Sequence, residues 1–344
     1  MGKKAEEILF FALALICSLV FACMHIRVSA IYAGALPANL QTGTAHLPYQ
    51  YRVLIPYLVF VVSKVTPSFL SEATCSAVLI SDSELCRVSA DLDYSGVFWF
   101  FLLDILSIFF SVIVLRAILN RCFPGQRYNS YLPFLLFYVL VFHYIYAPAP
   151  RYYYPSDLPA LLFFAVGIFL IYRNDLKMFY PVFIIATFNR ETSLFLTFIY
   201  WFINEHRKDQ LRYFVHTVIQ LILWAMVKLY LFKIFKTNHG LGIHPNLLQN
   251  LELITDWNTW KVLAISFGGL WILLPFIYTR CTNGCIKNTL KVIGPFYGIM
   301  LCVGYLPELR IYAELSIPLM LGVAALLYSL LNTDQRHSQS GFQG

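Results

Sequence analysis

Four short stretches carry most of the groups that could do chemistry. They are Tyr49-Gln50-Tyr51-Arg52, Arg151-Tyr152-Tyr153-Tyr154-Pro155-Ser156-Asp157, Asn189-Arg190-Glu191-Thr192, and Pro307-Glu308-Leu309-Arg310 with Glu314. Together they hold four arginines, four carboxylates and five tyrosines. A guanidinium forks onto phosphate oxygens in two parallel hydrogen bonds and keeps its charge at any physiological pH. A carboxylate can take a proton from a hydroxyl or hold a divalent metal. Tyrosine offers a ring face to a sugar and settles at the membrane interface. Each stretch also has a purely structural reading. Tyr49 to Arg52 could be an interfacial anchor with a snorkelling arginine. Ser156 or Asp157 could cap a helix. Arg310 and Glu314, four apart, would pair with each other along a helix. Arg190 and Glu191 fit such readings least well, because neighbours on a helix point about 100° apart and each needs its own partner.

The elements that position these groups follow from composition. Of 344 residues, 59% are hydrophobic, 17% aromatic and only 12% charged, and mean hydropathy is +0.66. A soluble domain carries roughly 25% charged residues. The composition therefore excludes a soluble enzyme, a disordered chain and a disulfide-stapled secreted domain. The net charge of +7 fits basic cytoplasmic loops of a membrane protein rather than a nucleic-acid surface. Spans must be helices or a closed barrel, because backbone groups find no water in the bilayer core. Long unbroken apolar runs, such as Ile8 to Met24 and Val97 to Val114, select helices. The expected fold is all-α, a polytopic transmembrane bundle of about ten membrane segments forming a single domain over residues 1–332. The bilayer itself is then the chain's first partner, and no nucleic acid is expected.

Loop charge sets the expected topology. Both termini lie in the cytoplasm, and residues 333–344 form a mobile cytoplasmic tail. Residues 29–94 form one long external loop with interfacial helices, interrupted by Pro48, Pro56 and Pro67. Expected spans are 8–28, 95–117, 131–148, 156–172, 213–235, 260–278, 290–305 and 311–331. Residues 178–203 carry Arg190 and Glu191 at their centre, where a charge costs about 2.5–3.5 kcal/mol on insertion scales. Two short helices meeting at Asn189 avoid that cost. This layout sends all four charged stretches to the external side, where they suit a lipid-linked phosphate or pyrophosphate sugar. Cys75 and Cys86 share the external loop, and an oxidising compartment would join them in a disulfide. Cys281 and Cys285, without a nearby histidine, make a weak metal motif, and no metal site is assigned. Asp104 and Lys228 could pair inside the membrane, and His143 reads as a hydrogen-bonded interface histidine.

The segment Tyr154 to Phe163 resembles the Ser-Asp-x-Pro stretch that opens a span in membrane glycosyltransferases of the GT-C superfamily. About thirty residues on, Ala186 to Leu194 is similar to their Lys/Arg-Glu-Thr segment between two short apolar runs, and the long first external loop is also similar. The resemblance implies sugar transfer from a polyprenyl- or dolichyl-phosphate donor on the outer or lumenal face of a bacterial cytoplasmic membrane or the endoplasmic reticulum. It implies Asp157 or Glu191 as base or metal ligand, and substrate contacts from Tyr51, Arg52, Arg151, Tyr153, Arg190, Glu308 and Arg310. A divalent metal is an open question. The sequence departs from that pattern in one respect: residues 29–71 contain no Asp or Glu, where the superfamily places an early acid. An anion transporter, or a non-catalytic membrane subunit on the same scaffold, are the alternative readings.

Overall fold

The computed structural model describes all residues except 1–2, 78–79, 92–95, 149–150, 206, 243–244 and 341–344, with the side chains of 3, 91 and 332–340 also outside the described set. The described chain is helical, with no strand; a single isolated bridge joins Ala30 to Tyr152. The first long helix is α1 (Lys3–Val28). Four short helices follow: α2 (Pro37–Thr42), α3 (Leu54–Ser63), α4 (Phe69–Ser76) and α5 (Glu84–Asp91). Then come α6 (Val97–Cys122), α7 (Leu135–Tyr144), α8 (Asp157–Arg173), α9 (Leu176–Asn189), α10 (Leu194–Asn204) and α11 (Gln210–Ile234). The C-terminal part holds α12 (Leu247–Ile254), α13 (Trp257–Ile265), α14 (Leu274–Arg280), α15 (Gly284–Leu290), α16 (Ile293–Val303) and α17 (Ser316–Ser340).

Among the described residues, five helical stretches are long and apolar enough to cross a membrane: Lys4–Val28, Val97–Cys122, Gln210–Ile234, Trp257–Arg280 and Leu309–Leu331. A helix of 26 residues such as α6 reaches about 39 Å at 1.5 Å per residue, against an apolar core of about 30 Å. The apolar side chains on the outside of α1 and α11, including Ile8, Ile16, Met226 and Leu229, are exposed, as expected where lipid rather than water is the solvent.

Several expected spans are not continuous helices. Residues 131–148 open with tight 3-10 turns before α7, which has only ten residues. The stretch 260–278 breaks between α13 and α14, where Phe267, Gly268 and Gly269 all take positive φ. A side chain at Gly268 would run into the Tyr138 ring, whose hydroxyl donates to the Gly268 carbonyl at 2.9 Å. Within 290–305 the helix is α16 alone, eleven residues long, because α15 ends at Leu290. Helix α17 runs on through 333–340, the first part of the expected tail, with no Gly or Pro between Val323 and Ser340 to interrupt it; residues 341–344 lie outside the described set.

Side-chain ties define two ends of the bundle. At one end Arg116 donates twice to Glu7, at 2.7 and 2.8 Å. There too Arg121 donates to the Tyr172 carbonyl, Tyr328 to Asn129, Tyr172 pairs with Thr289, and Lys291 pairs with Glu205. At the other end Ala30 and residues 151–153 exchange backbone hydrogen bonds, and Asn238 donates to the carbonyls of Gly43 and Ala45. Cys75 and Cys86 are joined in a disulfide with Cα atoms 5.6 Å apart, which ties α4 to α5. Mass spectrometry of the denatured chain should show six cysteines alkylated without reductant and eight after reduction. Eight without reductant would show that the bridge does not form.

Candidate functional site

The site is built where four distant pieces of chain end together. Helix α9 stops at Asn189 because Arg190 takes an extended conformation, φ −158° and ψ 145°. The chain makes one 3-10 turn through Glu191–Ser193 and returns as α10. The two short helices expected from the central charges are therefore present. The break leaves polar backbone groups inside an apolar bundle, and each must find a partner. Asn189 donates to the Ser156 carbonyl at 2.9 Å, and Trp224 of α11 donates to the Glu191 carbonyl at 3.1 Å. Thr187 and Ser193 pair across the break at 2.9 Å.

Charges then link the pieces. Asp157, the first residue of α8, is 1% exposed. Its Oδ2 accepts from Arg310 Nη1 at 2.6 Å, and its Oδ1 lies 3.3 Å from Arg190 Nη1. Arg190, 2% exposed, also reaches Glu314 Oε1 at 3.2 Å, and Thr192 donates to that same oxygen at 2.7 Å. Arg310 holds Glu308 with its second terminal nitrogen and lies 3.9 Å over the Tyr154 ring. Tyr154 stacks on Tyr49 with centroids 5.0 Å apart. Arg52 donates to Glu191 at 2.6 Å. Burial works against the Arg52 charge, but Glu191 and then Asp157 override it and hold the guanidinium above its ordinary pKa. Burial likewise drives the Tyr154 phenol far above its usual range, against the pull of Arg310, so its ring stays neutral.

Lys228 of α11 is 5% exposed and feels the Glu191 charge. Four cations, Arg52, Arg190, Lys228 and Arg310, thus face four carboxylates, Asp157, Glu191, Glu308 and Glu314. The distribution is uneven in depth. Asp157 and Glu314 are sealed, while the Glu191 and Glu308 side chains are 39% and 27% exposed. Next to Glu308 a cleft opens, lined by Arg151, Arg310, His143 and His25 among others. Arg151 reaches the Ile145 carbonyl at 2.8 Å, which positions it on the cleft wall.

Of the expected site residues, Arg52, Asp157, Arg190, Glu191, Glu308 and Arg310 come together, and Arg151 stands beside them. Tyr51 and Tyr153 are buried and present no open ring face. Tyr51 is buried edge-on against Phe232 at 4.6 Å. Tyr153 is buried with Cys23, Ile26 and Phe100. In the Tyr run the neighbours Tyr153 and Tyr154 are both buried, and Tyr152 is partly buried. Arg310 does not pair with Glu314, because residues 309–315 form a 3-10 helix, whose three-residue turn removes the four-residue match. Asp104 does not pair with Lys228 either; His25 of α1 lies 3.6 Å from it. His143 is buried and its Nδ1 sits 3.0 Å from the Val139 carbonyl. Tyr154 and Lys228, which the sequence does not assign to the site, and His25, which no motif marks, stand beside these groups. Among the described residues, no three His, Cys, Asp or Glu side chains gather as a metal ligand set.

No protein-family model, curated protein or solved structure matches the chain.

Removing one partner of a sealed ion pair leaves the other charged and dry, at a cost of about 3–5 kcal/mol. Arg190→Met should therefore lower the thermal unfolding midpoint and the folded yield much more than Arg52→Met, whose partner Glu191 can reach water. Equal midpoints for the two variants would contradict the depth ordering of this network.

Proposed function

We propose that this chain is a polytopic membrane glycosyltransferase that moves a sugar from a polyprenyl- or dolichyl-phosphate donor on the non-cytoplasmic face of a bacterial cytoplasmic membrane or the endoplasmic reticulum. The observation that carries this reading is the meeting of Arg52, Asp157, Arg190, Glu191, Glu308 and Arg310 in one ion network at a single end of the bundle. The opposite end holds Arg116, Arg121 and Lys291. By the positive-inside bias that end faces the cytoplasm, which supports two cytoplasmic termini and about ten membrane segments once the short helices are counted.

The exposure gradient gives the arginines their roles. A phosphate can displace a carboxylate only where that carboxylate can leave into water. Glu308 on Arg310 and Glu191 on Arg52 meet that condition, and Glu314 on Arg190 does not. Arg52 and Arg310, with Arg151 on the cleft wall, are therefore the phosphate-binding set. Arg190 and Asp157 hold that set in place. Asp157, held by two guanidiniums and out of water, positions rather than reacts. As the sugar departs, negative charge grows on the phosphate oxygens, and fixed guanidiniums stabilise it without reorganising. A transporter would place such a network near mid-depth between repeated halves, whereas here it sits at helix ends.

The test is transfer from a radiolabelled polyprenyl-phosphate sugar by the full chain in vesicles, beside binding of the unglycosylated lipid phosphate. Wild type should transfer, and Arg310→Gln should lose at least about 100-fold, the scale of removing one charge-stabilising donor. Glu308→Gln removes the competitor for Arg310, so it should bind lipid phosphate more tightly. No transfer by wild type from polyprenyl or dolichyl donors, with lipid phosphate still bound, would replace an enzyme by a non-catalytic subunit. Efflux of a trapped anion without transfer would make it a transporter.

A further inference from the structure

The cleft beside Glu308 needs a group that can accept the proton of an attacking hydroxyl. Arg151 and Arg310 keep theirs. Glu308 is held by Arg310 and, once a phosphate takes its place there, turns out to water rather than into the cleft. His143 faces the Val139 carbonyl through Nδ1, and its Nε2 is sealed from solvent with Phe267 packed on the ring at 4.5 Å. His25 differs from all of these. It lines the same cleft near the end of α1 and is itself buried, 1% exposed. Its Nδ1 lies 3.6 Å from Oδ2 of Asp104, a carboxylate 1% exposed in the first turns of α6. The Tyr153 hydroxyl interacts with the same carboxylate. The rings of Tyr144 and Tyr153 stand at 4.9 and 5.4 Å from the imidazole and fix its plane.

Resting on the transfer reaction proposed above, we infer that His25 is the proton acceptor of this cleft and Asp104 its positioning residue. A carboxylate beside Nδ1 keeps the hydrogen on that nitrogen and leaves Nε2 with its lone pair. The distance of 3.6 Å is long for a hydrogen bond, and such contacts shorten when substrate is bound and the ring gains charge. In the step, the acceptor hydroxyl oxygen bonds to the anomeric carbon and its proton passes to Nε2. The bond from that carbon to the donor phosphate oxygen breaks, and its electron pair leaves on the lipid phosphate beside Arg310. The imidazolium then returns its proton to water. The buried Asp104 side chain, which has no phosphate to bind and no role in the outer ion network, gains a purpose in this arrangement. The titratable and charged groups facing His25 are Asp104 from α6, Tyr144 from α7, Tyr153 from the following loop, and Arg151, Glu308 and Arg310 across the cleft.

The experiment uses the full chain in vesicles and measures transfer and donor binding separately. His25→Ala should lower kcat about 100-fold or more, the contribution of a general base, with KM for the donor unchanged. Added imidazole should restore part of the lost rate in His25→Ala. Asp104→Asn should also lower kcat at unchanged KM, and imidazole should not rescue it. A structural role would move folded yield and donor binding and give no rescue. Transfer by His25→Ala at the wild-type rate, or loss of donor binding in step with loss of turnover, would overturn the dyad and leave the transferase reading intact. Absence of transfer by wild type would overturn both.

Discussion

Asp157 lies between two guanidiniums, Arg310 at 2.6 Å and Arg190 at 3.3 Å, with almost no access to solvent. An isolated charge in that position would be costly enough to neutralise itself. With two opposite charges it becomes a fixed joint between α8, the tip of the α9–α10 hairpin, and the 3-10 turn that leads into α17. Much of the polar end of the bundle follows from that joint. Arg190 can point inward only because its helix has ended. Arg310 can reach both Asp157 and Glu308 only because its own segment is wound more tightly than an α-helix. Trp224 closes the Glu191 carbonyl that the break exposes, and the Asn189 side chain ties the break to the Ser156 carbonyl.

The same electrostatics separate scaffold from working surface. Charges at the bottom of the network are mutually satisfied and out of water, so they resist exchange. Those at the rim, Glu191 and Glu308, are satisfied but wet. An anion of the kind proposed would compete with the rim and not with the base. The arginines are thus held in place before any ligand arrives, which spares the reorganisation that mobile side chains would need. The apolar tyrosine stack of Tyr49 and Tyr154 beneath Arg310 excludes water from one side of the guanidinium and adds a cation–π contact.

A second buried polar unit, His25 with Asp104 and Tyr153, stands a short way along the cleft on α1 and α6. It uses different chemistry, a titratable ring in place of permanent charge. The two units share the cleft wall but not their partners. In the proposed transfer the permanent cations would hold the anion and the ring would take the proton of the hydroxyl.

Much was legible in the residues themselves. Low charge and long apolar runs determine a helical membrane architecture, because unpaired backbone in lipid has no other remedy. Charged neighbours inside an apolar stretch determine the break at Asn189, since a straight span would leave them unpaired. The gathering of Arg52, Asp157, Arg190, Glu191, Glu308 and Arg310 at one end follows from loop charge and segment length. Which of these groups pair was decided only by the tertiary structure. Glu314 meets Arg190 rather than Arg310, Asp104 meets His25 rather than Lys228, and Tyr153 turns inward while Tyr154 carries Arg310. Those choices depend on helix rotation, on a 3-10 turn and on how far each helix end projects, and none of these leaves a periodic trace in the sequence.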